Sequence, residues 1–214
     1  MRTAQFIGLS VAMLWNLPSR AQPVDPSGLP SYGITNVSPY RVSVEHVGGP
    51  GLLPANFGYV SFGTNKFGFV LPEGFRLEPE NPQKVTLVSA DLNCLLTFRV
   101  LDSVPGSTTE PDAGYCRRLV LASHPGGKIE AEFSLAGASR RGPAFDVRWN
   151  AARGVPRRER VLFILSDAGI LEFSLVSSLE RFEYGRQVFS TFLTTFRIPE
   201  PNGRLVMPVF SDRL

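Results

Sequence analysis

Apolar and polar residues alternate along much of this chain, and the alternation marks strands. Leu92, Cys94, Leu96, Phe98 and Val100 fall on one side of a run ending at Leu101, with Asn93, Thr97 and Arg99 on the other. Ile129, Ala131, Phe133 and Leu135 against Glu130, Glu132 and Ser134, then Phe145, Val147 and Trp149 against Asp146, Arg148 and Asn150, repeat the pattern. Both predict half-buried antiparallel strands, joined by a loop over 137–142. Further upstream, Phe57 and Tyr59, then Phe67, Phe69 and Leu71 around Gly63-Thr64-Asn65, predict two short strands, and Val85 to Ser89 a third. Arg41 to Val47 alternates briefly before Gly48-Gly49-Pro50-Gly51 and reads as an edge strand at most.

Val161 to Leu165 is apolar without a break, then comes Ser166-Asp167-Ala168-Gly169 and a second β-favouring run, Ile170 to Leu175. That is a hairpin, and a strand apolar on both sides asks for cover on both faces. Two segments with helical spacing can supply it. Ala113, Cys116 and Val120 follow Pro111, with Thr108 or Thr109 as the cap and His124-Pro125-Gly126-Gly127 as the stop. Phe189, Phe192, Leu193 and Phe196 recur at i, i+3, i+4 and i+7, while Arg186, Gln187, Ser190 and Thr194 take other faces. The expected order is four strands, a helix, four strands and a closing helix. The expected fold class is α+β, an antiparallel β-sheet flanked by helices, and not the regular βαβ alternation of nucleotide-binding folds.

The ends of the chain differ from its middle. Arg2, a mostly apolar stretch from Ala4 to Trp15, and Ser19-Arg20-Ala21 predict a cleaved signal peptide over 1–21. Gln5, Asn16 and Pro18 interrupt the run, which is also short for a span of about 20 apolar residues. Residues 22–56, with Pro23, Pro26, Pro30, Pro39, Pro50 and Pro54, read as a leader or linker, 57–198 as the globular domain, and 199–214 as a tail. Leu205 to Phe210 in that tail is either a late edge strand or loose chain. The 214 residues, 43% hydrophobic and 19% charged, suit one such domain. Cleavage would remove Arg2 and Arg20 and no acid, taking the formal charge from +3 to +1, too small an excess for a nucleic-acid binder.

Phe67-Gly68-Phe69-Val70-Leu71-Pro72-Glu73-Gly74-Phe75 resembles the opening strand and turn of PsbP-like and DcrB-like domains. The final hairpin, with a helix ending in Phe192-Leu193-Thr194-Thr195-Phe196-Arg197, is similar to the close of that family. The resemblance spans roughly 57–198 and implies an α/β/α sandwich around an antiparallel sheet, used as a non-catalytic accessory or binding module on extracytoplasmic proteins. It brings no catalytic residues, and this chain lacks the lipid-anchor Cys of the DcrB type.

Candidate chemistry is sparse. His46 and His124 are the only imidazoles, and His124 in its Pro-Gly-Gly turn reads as a surface residue. Two His and two distant Cys make no zinc spacing, Ser139 is not in a G-x-S-x-G elbow, and Gly126-Gly127-Lys128 lacks the rest of a phosphate loop. The acids Glu130 and Glu132 read as a solvated strand face. No catalytic, metal or cofactor site is expected. Cys94 and Cys116 both point to the predicted core, and a disulfide or two buried thiols fit equally. Two features invite a functional reading. The 16 Phe either line an apolar cleft or pack the core. Arg140, Arg141, Arg148, Arg153, Arg157, Arg158 and Arg160 crowd one region against Asp146 and Glu159, where they can receive an anionic partner or serve as a solvated edge. The leading expectation is a secreted or periplasmic, non-catalytic interaction module with a protein or other anionic envelope partner. A binder of a small apolar or anionic ligand is the alternative, and a hydrolase comes third.

Overall fold

Ten strands and two helices follow from these patterns in a computed structural model that describes residues 39–49, 52–78, 83–101, 111–198 and 205. The hairpin stands at the centre. Strands β9 (Pro156–Ser166) and β10 (Gly169–Ser178) pair antiparallel from Ser166↔Gly169, with only Asp167 and Ala168 between them. On one flank β10 pairs with β6 (Cys94–Leu101), then β5 (Val85–Ser89) and β4 (Phe75–Leu77); on the other β9 pairs with β8 (Arg140–Asn150) and edge strand β7 (Lys128–Gly137). Every pairing in this seven-stranded sheet is antiparallel. The α+β class expected from the sequence is what the structure shows.

The pleat sends alternate residues to opposite faces, and each face has its own apolar cluster. Leu87, Leu96, Phe98, Leu162, Ile164, Phe173 and Leu175 face helix α2 (Phe182–Thr195), which buries Phe182, Phe189, Phe192 and Leu193, with Phe196 just past its end. The phase read from the sequence is therefore correct. Beside α2 lies a second sheet of β1 (Tyr40–Gly49), β2 (Leu52–Phe62) and β3 (Asn65–Val70), whose Phe67 and Phe69 meet Phe196 with ring centroids 5.9 and 6.1 Å apart. Gly68 and Arg197 exchange backbone hydrogen bonds, tying the chain after α2 to β3. On the opposite face, Phe145, Val147, Val161, Phe163 and Ile170 pack under Cys116 and Val120 of helix α1 (Ala113–Ser123). Most of the phenylalanines fill these clusters, the close-packed reading of their abundance.

Several expectations need correction. Strand β1 and the start of β2 lie inside 22–56, so the folded unit begins well before Phe57; the described residues belong to one compact unit, 36–214. The prolines there do not prevent pairing, because β1 runs from Tyr40 to Gly49 between Pro39 and Pro50. Among the described residues six strands, not four, precede α1, since β1 and the three-residue β4 add to the expected set. Residues 137–142 hold no long loop: Ala138 and Ser139 alone form the turn, both at positive φ as a type I′ hairpin requires, so Arg140 and Arg141 belong to β8. Asp112, not Thr108 or Thr109, caps α1, its carboxylate accepting from the Tyr115 N–H at 2.5 Å. The signal peptide and the 205–210 strand are expectations that fall outside the described residues, Leu205 apart.

Candidate anion-binding end and the buried polar face

The seven arginines do not form one patch, because β8 carries three of them at its two ends, β9 carries three more and Arg153 lies in the turn between. Arg140 and Arg141 stand at the turn end, where the Arg140 guanidinium donates to the Leu165 carbonyl at 2.6 Å. Arg148, Arg153, Arg157 and Arg158 gather at the other end, roughly 25 Å along the strand. Arg160 belongs to neither surface group. Its guanidinium holds Asp146 with two hydrogen bonds of 2.7 Å in a nearly dry setting and lies over the Phe133 ring at 4.7 Å. A bidentate pair with an aromatic lid satisfies the charge internally, so Arg160 is a packing residue.

At the far end, register creates something that the sequence alone conceals. Lys128 of β7 stands directly opposite Arg148 of β8, which stands directly opposite Arg158 of β9. Three cations therefore line one row of the α2 face across adjacent strands about 4.8 Å apart. Like charges directly opposite destabilise a sheet. Only Arg158 has compensation: Glu130 lies 2.9 Å away and the Phe182 ring sits 4.4 Å beneath its guanidinium. Lys128 and Arg148 are exposed and have no acidic partner among the described residues. Arg153 adds a further exposed cation from the turn between β8 and β9, held at φ 64 within Ala152–Gly154. Glu132, read as part of a solvated face, pairs with Arg117 of α1 at 3.1 Å, as Glu130 pairs with Arg158.

On the α1 face of the same strands, Trp149 is directly opposite Arg157. Their indole Nε1–H and guanidinium Nε–H are both buried, and neither meets an acceptor among the described residues. The next residue inward on β9 on this face is Glu159, which His124 reaches from the end of α1 with Nε2 at 2.6 Å. The other ring nitrogen lies 2.9 Å from the Val120 carbonyl oxygen, and the ring packs on Trp149 at 5.1 Å. Both ring nitrogens thus face acceptors, and only the doubly protonated imidazolium satisfies both. Burial opposes that charge, but the Glu159 hydrogen bond and charge, the Val120 carbonyl and the more distant Glu172 outweigh it and raise the His124 pKa. His124 is thus no surface residue: its side chain is only 11% exposed. With both nitrogens engaged it clamps α1 to the sheet and has none free to act as a base.

The remainder of this face, over β5, β6 and β10, is also polar. Arg99 and Glu172, directly opposite, share hydrogen bonds of 2.8 and 2.7 Å. Thr86, Thr97 and Ser174 form the neighbouring row; Thr97 and Ser174 join hydroxyls at 2.8 Å, while the Thr86 hydroxyl is buried without a partner. Burial lowers the Lys84 pKa beside this row, against the pull of Glu159 and Glu172. Cys94 and Cys116 are free, buried thiols in the separate clusters of the two sheet faces, so the bridge left open by the sequence is not made. Burial, with Asp112 nearby, pushes the Cys116 thiol up to about 12. No group of three or more His, Cys, Asp or Glu gathers among the described residues, and no described helix is long and apolar enough to cross a membrane.

No protein-family model matches this chain, and no curated protein does. Solved structures do resemble it. Cyanobacterial PsbP (CyanoP) from Synechocystis sp. PCC 6803 is 14% identical, with a TM-score of 0.48 over 79% of this chain and 98% of that one. LpqN of Mycobacterium tuberculosis, involved in cell envelope biogenesis, is 13% identical, with a TM-score of 0.39 over 74% and 91%. PA94 of Pseudomonas aeruginosa, a protein of unknown function, is 17% identical, with a TM-score of 0.37 over 63% and 92%. A PsbP, from the family that the sequence resembles, is thus among the structures similar to this chain, and no residue role comes with the likeness.

Proposed function

We propose that this protein is an extracytoplasmic, non-catalytic interaction module that receives an anionic envelope partner on the basic end of β7, β8 and β9. The observation that carries the reading is the row Lys128, Arg148, Arg158, in which three cations stand directly opposite one another with a single acid beside them. Such a row lowers the stability of the free protein and is relieved by an anion laid across it. Arg153 adds an exposed cation from the turn that joins β8 to β9, and Arg forms planar two-point contacts with carboxylate or phosphate. Arg140 and Arg141 lie too far along β8 to join the same contact. Two features support the non-catalytic part: the His124 ring has both nitrogens engaged, and Asp146 is held by Arg160. The placement outside the cytoplasm rests on the leader pattern of residues 1–21.

The test is capture from an envelope extract at low salt with the parent and with Arg148→Glu/Arg153→Glu. Both side chains are exposed and make no ion pair among the described residues, and Glu at 148 would sit between Lys128 and Arg158, so the fold is retained. The double variant is expected to lose its partner while its thermal midpoint equals or exceeds the parent's, because Glu at 148 relieves the repulsion within the row. Equal capture by both would reduce the row to a solvated sheet edge.

A further inference from the structure

We propose that the end of the seven-stranded sheet where Lys128, Arg148 and Arg158 align is a docking face for an anionic lipid bilayer. The proposal rests on the reading of this end as the anion-binding end, and names the partner there as lipid headgroups. Register brings the connections at 90–93, 151–155 and 179–181, the end of α1 and the start of α2 to this one end. Ser177 stands opposite Cys94, Ser178 opposite Arg157, Asn150 opposite Pro156 and Lys128 opposite Arg148. Among the described residues seven large apolar side chains are exposed, and five of them are here: Leu92, Leu121, Val155, Leu179 and Tyr184. The other two belong to β1.

The five come from three turns and two helix ends, so no single element presents them as a helix stripe or a strand face would. A protein partner asks for a contiguous apolar centre. A membrane interface instead accepts single apolar side chains between headgroups, with Tyr at headgroup level and Lys or Arg reaching the phosphates. The cations stand where such contact needs them. Arg153 is exposed two residues before Val155, and exposed Lys128 and Arg148 lie beside it on β7 and β8. Of the acids at this end, Asp91 faces Arg181 at 3.8 Å and Glu183 faces Arg186 at 3.0 Å, while Glu73 precedes β4, on the opposite edge of the sheet from β7. Glu180, beside Leu179, makes no ion pair among the described residues. The opposite end of the sheet gives the contrast: Arg140 and Arg141 are exposed there, yet none of the seven exposed apolar side chains accompanies them.

The experiment uses the full chain with Val155→Cys, carrying a polarity-sensitive fluorophore on the new thiol; Cys94 and Cys116 are buried and stay unlabelled. Vesicles of phosphatidylcholine alone, or mixed in equal parts with phosphatidylglycerol, are titrated at low salt. The mixed vesicles are expected to brighten and blue-shift the probe, and the neutral ones are not. The same probe at Ser139→Cys, in the turn at the opposite end, is expected to stay unchanged. Arg148→Glu/Arg153→Glu should raise the lipid concentration at half response by at least about twentyfold, about fivefold for each cation lost. Leu179→Gln, which alters no charge, should raise it by about fivefold.

A Val155 probe indifferent to the mixed vesicles, an equal response at Ser139, or a Leu179→Gln protein that binds as tightly as the parent overturns the proposal. So does loss of the response when sodium phosphate replaces sodium chloride at equal ionic strength, which would assign this end to free phosphate. Capture of an envelope protein by the parent, with the Val155 probe indifferent to lipid, leaves the anion-binding end standing and removes the bilayer. Failure of both removes the anion-binding end itself.

Discussion

At the scale of the residue, the two cysteines show how sheet geometry decides chemistry. The alternation of β6 sends Cys94 toward α2, while Cys116 hangs from α1 onto the other face, so two side chains that both point to a core point to different cores. Burial raises both thiol pKa values, and a thiol that does not ionise is a poor nucleophile. Alkylation of the native protein at neutral pH should therefore label neither residue, and alkylation after unfolding without reductant should label both. Labelling of neither residue in the unfolded, unreduced protein would mean that they are bridged after all. His124 makes the same point in reverse. Its Pro-Gly-Gly context reads as surface, yet the ring is buried because Glu159, distant in sequence, comes to meet it across the α1 face.

At the scale of the element, the two helices are held differently and should fail differently. Helix α2 is held by aromatic burial: the Phe192 ring lies 5.3 Å from Phe69, 5.8 Å from Phe196 and 6.2 Å from Phe173. Phe192→Ala should cost about 3–5 kcal/mol and lower the urea midpoint accordingly; an unchanged midpoint would contradict this packing. Helix α1 is held partly by charge. The folded His124 pKa is raised above its usual value near 6.5, so its contribution is fully present below that value and is lost as pH rises through the folded one. The thermal midpoint of the parent should therefore fall from pH 6 toward alkaline pH more steeply than that of His124→Gln, in which the titrating group is gone. Parallel profiles would show that the imidazolium contributes nothing. The elements themselves were largely legible in the sequence, since the spacing of Phe189 to Phe196 and the alternations of β6, β7 and β8 depend only on local periodicity. Strand β4 was not, being three residues long, and neither was the turn at Ala138 and Ser139, where two residues without the usual Asn or Gly take positive φ.

At the scale of the whole molecule, the candidate site depends on register, which periodicity does not specify. The arginine-rich stretch was visible in the sequence. Its division into two ends, the withdrawal of Arg160 into a buried pair, and the recruitment of Lys128 from β7 all come from how three strands align. What results is a sheet with separate cores on its two faces and one basic corner. Exposed cations act over a distance set by salt, and encounter with an anionic partner weakens as that distance shrinks from about 14 Å at 50 mM to about 5 Å at 300 mM. The decisive measurement is therefore the dissociation constant of the captured partner across that range for the parent protein. The account predicts weakening by about tenfold or more with most of the change in the association rate. An affinity that stays constant from low to high salt would mean that the partner docks on some other surface, and the basic corner would have no part in function.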